Sequence, residues 1–512
     1  MATGYYAGAQ NGIWTATGAW KSTLAGATNA TAPTTGNTAF FNNNALTAAR
    51  NVYLSGAKTI SQIITNTNAL NGITIRGGTL AVPATQTLTI ASGIVQGAGS
   101  GSLTFHSTCT VLISNNSALD TQSGTSLIFD GIIQGQNISQ TGSGTVTFNN
   151  ASFLPSYTVI GGTCNINNAA ALGNPSVGAV FEIRTGGTAF LNVALGNNYN
   201  GAGNSFTFAG GTVVINNAGF QNVRSGFTAL TSSILRATLS GSLGGAELNL
   251  GSTASLTASA ASGITLTINS GITGNGTGSL SFGRAADTGV VTLAGASSTV
   301  LNVTTFVNFG TVVCSTATPL GAASSTSGIS VAAVTSLQLN TAVTYASRTV
   351  AISGTGSVNA PNNGALIIGN TGTNTFSGIT LGATAYIRAT SSGTLTGGIL
   401  TDSATGKNLT AGAASGVTLT LSSAITGGGT LTVGNHSGDT GTLKLSASST
   451  IGNTSIAYGT AQAGNTNAFG STGTVTIASG TTLQTLTASG QNGKLTVAAL
   501  TNSAGGTIKI GG

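Results

Sequence analysis

Charge is what this chain has least of. Seven Asp or Glu and 14 Lys or Arg amount to 4% of 512 residues, against about 25% in an ordinary globular protein. The net +7 is spread thinly, because Arg50, Lys58, Arg76, Arg184, Arg224, Arg236, Arg284, Arg348 and Arg388 stand far apart with no aromatic ladder between them. Electrostatic capture of nucleic acid needs a dense basic stripe, so no nucleic-acid partner is expected. The acids Asp120, Asp130, Glu182, Glu247, Asp287, Asp402 and Asp439 are all at least ten residues apart. Carbohydrate-cleaving β-helices need several carboxylates on one face, often with Arg, Lys or calcium. Only the stacking of neighbouring turns could bring Asp120 near Asp130, which keeps a glycan-processing tailspike as a minor alternative.

Histidine and cysteine are also scarce. Zinc needs three or four converging ligands, and His106 and His436 are the only histidines. The ligand-like spacing of His106-Ser107-Thr108-Cys109 therefore makes no metal site, and neither a metal nor another cofactor is expected. Serine is abundant, but neither His stands where it would support a serine nucleophile. Cys109, Cys164 and Cys314 are odd in number and irregular in spacing, which excludes a disulfide framework. Each sits in a strand-like run such as Thr108-Cys109-Thr110-Val111, where a thiol behaves as a small buried hydrophobe. No stretch approaches the roughly 18 apolar residues of a membrane-spanning helix, so no membrane insertion is expected. The opening Met1-Ala2-Thr3-Gly4-Tyr5-Tyr6 has neither the basic region nor the apolar core of a secretory signal. That leaves release inside a cell, as for virion proteins, export without a cleaved leader, or numbering as a mature fragment.

Glycine is plentiful, at 78 residues, with Ala, Ser, Thr and Asn supplying most of the rest. Chains of this composition are often disordered, because they bury too little apolar surface to offset ordering entropy. Here 40% of the residues are hydrophobic, and they recur in short alternating runs such as Leu88-Thr89-Ile90, Leu103-Thr104-Phe105 and Thr418-Leu419-Thr420-Leu421. That alternation predicts strands, punctuated by Gly-Gly, Asn-Asn, Ser-Gly and Thr-Gly corners. Helical periodicity is almost absent. A Gly-rich corner leading into an alternating run recurs as Gly99-Ser100-Gly101-Ser102-Leu103-Thr104-Phe105, as Gly142-Ser143-Gly144-Thr145-Val146-Thr147-Phe148 and as Gly276-Thr277-Gly278-Ser279-Leu280-Ser281-Phe282.

A longer period lies above this cassette. Asp287-Thr288-Gly289-Val290-Val291-Thr292-Leu293 returns 152 residues later as Asp439-Thr440-Gly441-Thr442-Leu443-Lys444-Leu445. Ser262-Gly263-Ile264-Thr265-Leu266-Thr267 returns as Ser415-Gly416-Val417-Thr418-Leu419-Thr420, and the triplets Ala171-Leu172-Gly173, Pro319-Leu320-Gly321 and Ala468-Phe469-Gly470 keep a similar spacing. Tandem self-similarity marks architectures in which each unit buries its apolar face on the next. The expected fold is all-β: a right-handed parallel β-helix, or β-solenoid, forming a rod with an aromatic-rich N-terminal cap. At roughly 20–25 residues per coil and about 4.8 Å per rung, some twenty coils would make a rod near 100 Å long. A β-propeller would repeat every ~40–50 residues, a period not found here. Scarce charge fits stacking, since like charges in a ladder repel whereas Asn, Ser and Thr hydrogen-bond along it. The divisions read from the sequence are residues 1–50, an N-terminal capping or docking module, and solenoid blocks at 51–260, 261–413 and 414–512. Trp14 and Trp20, with Tyr5, Tyr6, Phe40 and Phe41, concentrate aromatics in the first division, where an open end needs covering. The same end could seat the rod on a partner.

The residues Gly372-Thr373-Asn374-Thr375-Phe376-Ser377-Gly378-Ile379-Thr380-Leu381, and Gly310-Thr311-Val312-Val313 leading to Pro319-Leu320-Gly321 and Ile329-Ser330-Val331, resemble the autotransporter-associated β-strand repeat of bacterial surface proteins. The opening Trp14, Trp20, Pro33 and Gly36-Asn37-Thr38-Ala39-Phe40 is similar to the start of such proteins. The resemblance implies a parallel β-helix displayed outside a cell. A second resemblance, to the solenoids of viral fibres, spikes and capsid decorations, implies a virion surface.

Two further chemistries are raised by motif. Paired Asp-Thr-Gly loops sharing a proton are the core of aspartic proteases, but Asp287 and Asp439 occupy one place in a tandem repeat and are expected several coils apart. Thr-x-Thr runs raise an ice-binding threonine ladder, although the sequence displays no regular coil-to-coil threonine register. The expected protein is therefore not an enzyme but a structural or adhesive solenoid: a virion head fibre, decoration or spike, or alternatively an extracellular bacterial adhesin or autotransporter-like passenger. The expected partners are other structural proteins of the particle or surface layer, copies of itself in a symmetric assembly, and host-surface glycans.

Overall fold

The computed structural model describes residues 3–6, 11–15, 20–21, 32–41, 49–65, 72–98, 101–172, 178–195, 204–223, 226–296, 301–321, 324–357, 364–402, 404–485 and 495–510. Among these there is no helix. The chain falls into two compact units, Met1–Ala246 and Glu247–Gly512, and each is a parallel β-solenoid.

In the first unit three short strands make one turn of the coil. Gly93–Gln96, Gly101–Phe105 and Cys109–Ile113 are followed by Ser117–Thr121, Thr125–Phe129 and Ile133–Gly135. Each strand pairs in parallel with its counterpart one coil later, as Ile94 with Leu119, Leu103 with Leu127 and Val111 with Ile133. The period-2 alternation seen in the sequence then has a structural meaning: within a strand alternate side chains fill the axis and those between them face out. Both members of each of these pairs are fully buried.

Stacking turns sequence spacing into vertical files. On the second face Phe105, Phe129 and Phe148 lie over one another in register, with ring centroids 5.2 and 5.4 Å apart and planes within 10° of parallel. Across the core Phe148 meets Tyr157 edge to face, and a second aromatic file on the first face runs through Tyr157, Phe181, Phe206 and Phe227. Tyr157 meets its polar requirement by donating from Oη to Oε1 of Gln140 at 2.8 Å, and Gln140 Nε2 donates to the Thr163 carbonyl. Buried amide and phenol groups thus satisfy each other inside an apolar core.

At the corner after the second face the same geometry makes an asparagine ladder. Asn149 Nδ2 donates to Asp130 Oδ1 at 2.7 Å, Asn167 to Asn149 at 2.6 Å, Asn192 to Asn167 at 2.7 Å and Asn216 to Asn192 at 2.8 Å. Thr238 Oγ1 closes the series on Asn216 Oδ1 at 2.7 Å. Every bond runs in one direction and the last acceptor is a carboxylate, which makes the terminal bond the strongest. An amide both donates and accepts without repelling its copy on the next coil, which is how a stack of identical corners dispenses with charge.

In the second unit one inward file runs through Leu266, Val291, Val312, Leu337, Leu366, Ile387, Ala411, Val433, Ile456 and Ile477. Successive members are 21 to 29 residues apart, so loops at the corners absorb the variation while the ladder keeps register. One cation is buried here without a carboxylate. The Arg348 guanidinium donates to the carbonyls of Leu320, Ser327 and Val303 and to Thr305 Oγ1, tying three corners together; burial pulls its pKa down to about 10.

The tandem repeat is visible as duplicated hydrogen bonds. Gly289 N donates to Ala260 O and Gly441 N to Ala413 O, both at 3.0 Å, while Val290 N to Ile264 O and Thr442 N to Val417 O are both 2.8 Å. A Cβ on Gly289 would lie 2.2 Å from Ala261 O, and one on Gly441 2.2 Å from Ala414 O, so both corners exclude any larger residue. The two copies do not land on the same face. Val291 reaches Val433 after six coils of its own ladder, whereas its sequence counterpart Leu443 belongs to a different ladder, with Leu419 and Ala461.

All three cysteines are buried, and burial pushes the Cys109 and Cys314 thiols up to about 12 and the Cys164 thiol higher still. Thiol reagents at pH 8 are expected to label none of them in the native protein and all three after denaturation, read by mass. In the asparagine ladder, Asn192→Ala should cost about 1 kcal/mol in chemical denaturation. Asn192→Asp should cost more at pH 7 and recover as pH falls through the carboxylate range, because only the protonated acid can donate to Asn167 Oδ1.

Candidate binding surface

The described surface of the first unit carries one groove built by repetition. It runs along the corner between the third and first faces and has a volume of about 640 Å³. Its floor is formed by Ala118, Ser139 and Thr158, which sit in register on three successive strands. Asn115, Asn116, Asn137 and Ser156 form one wall and Ala91 with Ser92 closes an end. Four coils at about 4.8 Å give it a length of about 14 Å.

Part of this polarity is spent on the fold. Asn116 Oδ1 accepts from the Asn137 backbone amide at 3.3 Å, Ser117 Oγ donates to the carbonyls of Ala91 and Asn115, and Ser61 and Ser92 hydroxyls meet at 3.3 Å. The side chains of Asn115, Asn137, Ser139, Ser156 and Thr158 make no hydrogen bond among the described residues. No charged or aromatic residue lines the groove. Its chemistry is therefore that of neutral amides and hydroxyls repeated every rung, suited to an uncharged, hydroxyl-rich chain and poorly suited to phosphate or metal. In the sequence these residues read only as corner punctuation; their convergence depends on which corner of which coil they occupy.

The carboxylates are dispersed. Asp120 lies on the first face, where its Oδ1 accepts from Gln122 Nε2 at 2.8 Å, and Asp130 heads the asparagine ladder beyond the second face of the same coil. Stacking thus separates the pair that neighbouring coils were expected to bring together. Asp287 is buried and accepts from Ser259 Oγ at 2.9 Å. Asp439, also buried, accepts from Tyr386 Oη at 2.5 Å, Arg388 Nε at 3.0 Å and the Asn435 amide at 2.8 Å, with His436 Nε2 at 3.4 Å. Burial, followed by that hydrogen bond and the Asp439 charge, holds the Tyr386 phenol far above its usual range. Six coils place the two aspartates roughly 30 Å apart along the axis, on different corners, so they share no proton. Each closes a corner loop, accepting inward while its own amide donates to residue i−3, Arg284 or His436.

Among the described residues no group of three His, Cys, Asp or Glu converges. His106 and Cys109 form a turn instead: Cys109 N donates to the His106 carbonyl at 2.7 Å, and His106 Nδ1 lies 3.0 Å from Thr108 Oγ1. Burial, then the Arg76 charge, lowers the His106 pKa.

Of the six N-terminal aromatics, Trp14 and Phe41 are buried and meet edge to face at 6.2 Å. Phe40 is half-buried on the same strand, Thr38–Phe41, which pairs in parallel with Gln62–Thr65. Tyr5 and Tyr6 pair in parallel with Phe40 and Phe41 and antiparallel with Lys21 and Trp20; the side chains of Tyr5, Tyr6 and Trp20 lie outside the described residues. The structure brings the aromatics to adjoining strands of the first coils.

Threonine register, which the sequence did not display, is present. Thr418, Thr442, Thr460, Thr482 and Thr507 are directly stacked. The neighbouring outward file holds Thr420, Lys444, Gln462, Gln484 and Lys509, so the flat two-file threonine array of an ice-binding face is not formed.

No protein-family model, curated protein or solved structure matches the chain. The likeness to autotransporter repeats and viral solenoids accordingly rests on the residues quoted for it.

Replacing Asp439 by Asn removes the carboxylate charge and leaves one acceptor oxygen where two now serve Arg388, Tyr386 and the Asn435 amide, and partial exposure of Arg388 softens the loss. An unfolding free energy lower by about 3 kcal/mol is expected, measured by denaturant titration against Glu247→Gln, an exposed control expected to change little.

Proposed function

We propose that the chain is a non-enzymatic structural and adhesive β-solenoid displayed on an exterior surface, as a virion head fibre, decoration or spike. The observation that carries this reading is the neutral groove beside Ser139 and Thr158: a rigid stack of backbone ladders presents unspent amides and hydroxyls at rung spacing and holds no converging catalytic group there. The ligand class is a neutral surface glycan, bound weakly at each groove and strengthened by multiple copies in a symmetric assembly. Other structural proteins of the particle are the remaining partners, and Trp14 and Phe41 lie at the end proposed to be capped or docked.

Burial keeps the three thiols unreactive in an oxidising exterior as well as in a cytosol, and the few Lys and Arg residues leave few sites for trypsin-like proteases. A second reading, a secreted bacterial adhesin or autotransporter-like passenger, is favoured by the repeat style of Gly372–Leu381.

The test is a glycan array probed with the full chain in multivalent form. Binding to neutral glycans that is lost in Asn137→Ala/Ser139→Leu, with the melting temperature kept, is the expected outcome. Absence of binding, or binding indifferent to that pair, sinks the adhesive reading. Recovery of the protein with purified particles rather than with cell envelopes decides between the two settings.

A further inference from the structure

The second unit presents a face of different chemistry. Strands Thr418–Leu421, Thr442–Leu445, Thr460–Ala463, Thr482–Thr485 and Thr507–Ile510 stack in parallel without a register shift. In the first four the second residue is buried and the first and third are half-exposed. One outward file is threonine at every rung. The other reads Thr420, Lys444, Gln462, Gln484 and Lys509.

Neither outward file contains a carboxylate, and neither lysine has an ion-pair partner among the described residues. In a chain with so few charges, two unpaired ammonium groups in one file of a flat face are a concentration of charge. They stand three rungs apart, about 14 Å, joined by Gln462 and Gln484, whose side chains touch at 3.3 Å. Threonine hydroxyls flank the whole length.

We infer that this face binds an acidic polysaccharide laid along the solenoid axis, its anionic groups on Lys444 and Lys509 and its hydroxyls on the threonine file. Charge complementarity selects a polyanion. The flat, uncharged ground between the lysines selects a sparsely charged, hydroxyl-rich one over nucleic acid, whose capture takes a denser basic track and, for single strands, aromatic stacking. The inference is independent of the groove in the first unit.

The test measures binding of the full chain to polygalacturonate, to dextran sulfate, to unmodified dextran and to duplex DNA, at low and moderate salt. Binding to one or both acidic polymers is expected, weakening as salt rises, and the arm that binds identifies carboxylate or sulfate as the anion. Lys444→Gln/Lys509→Gln should lower that affinity about tenfold or more with an unchanged melting temperature, while Lys407→Gln and Asn137→Ala/Ser139→Leu leave it intact. Failure to bind either acidic polymer, equal affinity for dextran or DNA, or full binding by the double lysine variant overturns the inference.

Discussion

The parallel backbone ladder between consecutive coils is the constraint from which the rest of each unit follows. Because every strand finds its partner one turn away, its side chains must sit directly over those of the next coil at about 4.8 Å. Any residue chosen at a position is therefore chosen for contact with its own kind. Apolar residues benefit, as the Phe105, Phe129 and Phe148 stack illustrates. Asparagine benefits at corners, since its amide is complementary to itself. Lysine and aspartate do not, and the composition records that penalty.

The same constraint governs how buried polarity is handled. Arg348 is satisfied by carbonyls, Asp439 by a phenol, a guanidinium and an amide, and Gln140 by Tyr157 and a carbonyl. In each case at least one partner comes from another coil, so a single polar side chain links turns. Such groups add side-chain bonds between turns at corners, where the chain departs from the regular ladder.

Architecture was legible in the sequence because the period-2 alternation and the Gly-rich corners are local signals, and the 152-residue duplication is a long-range one that survives as identical hydrogen bonds at Gly289 and Gly441. The surfaces were not legible. Whether Asn137 stands beside Ser156, or Thr442 above Thr418, depends on the length of every intervening corner loop, and coils of 21 to 29 residues erase a fixed sequence period. For that reason the threonine register was invisible, and Asp120 and Asp130, ten residues apart, proved to be separated by a corner rather than joined across coils.

The duplication advances six coils and then changes face, so it behaves as a screw operation rather than a translation. A surface property written into the repeat is handed from one side of the second unit to another instead of being lined up along one edge. Copying such a segment diversifies the directions in which the protein can make contact, and it also prevents any two copies of a motif from cooperating in a single site.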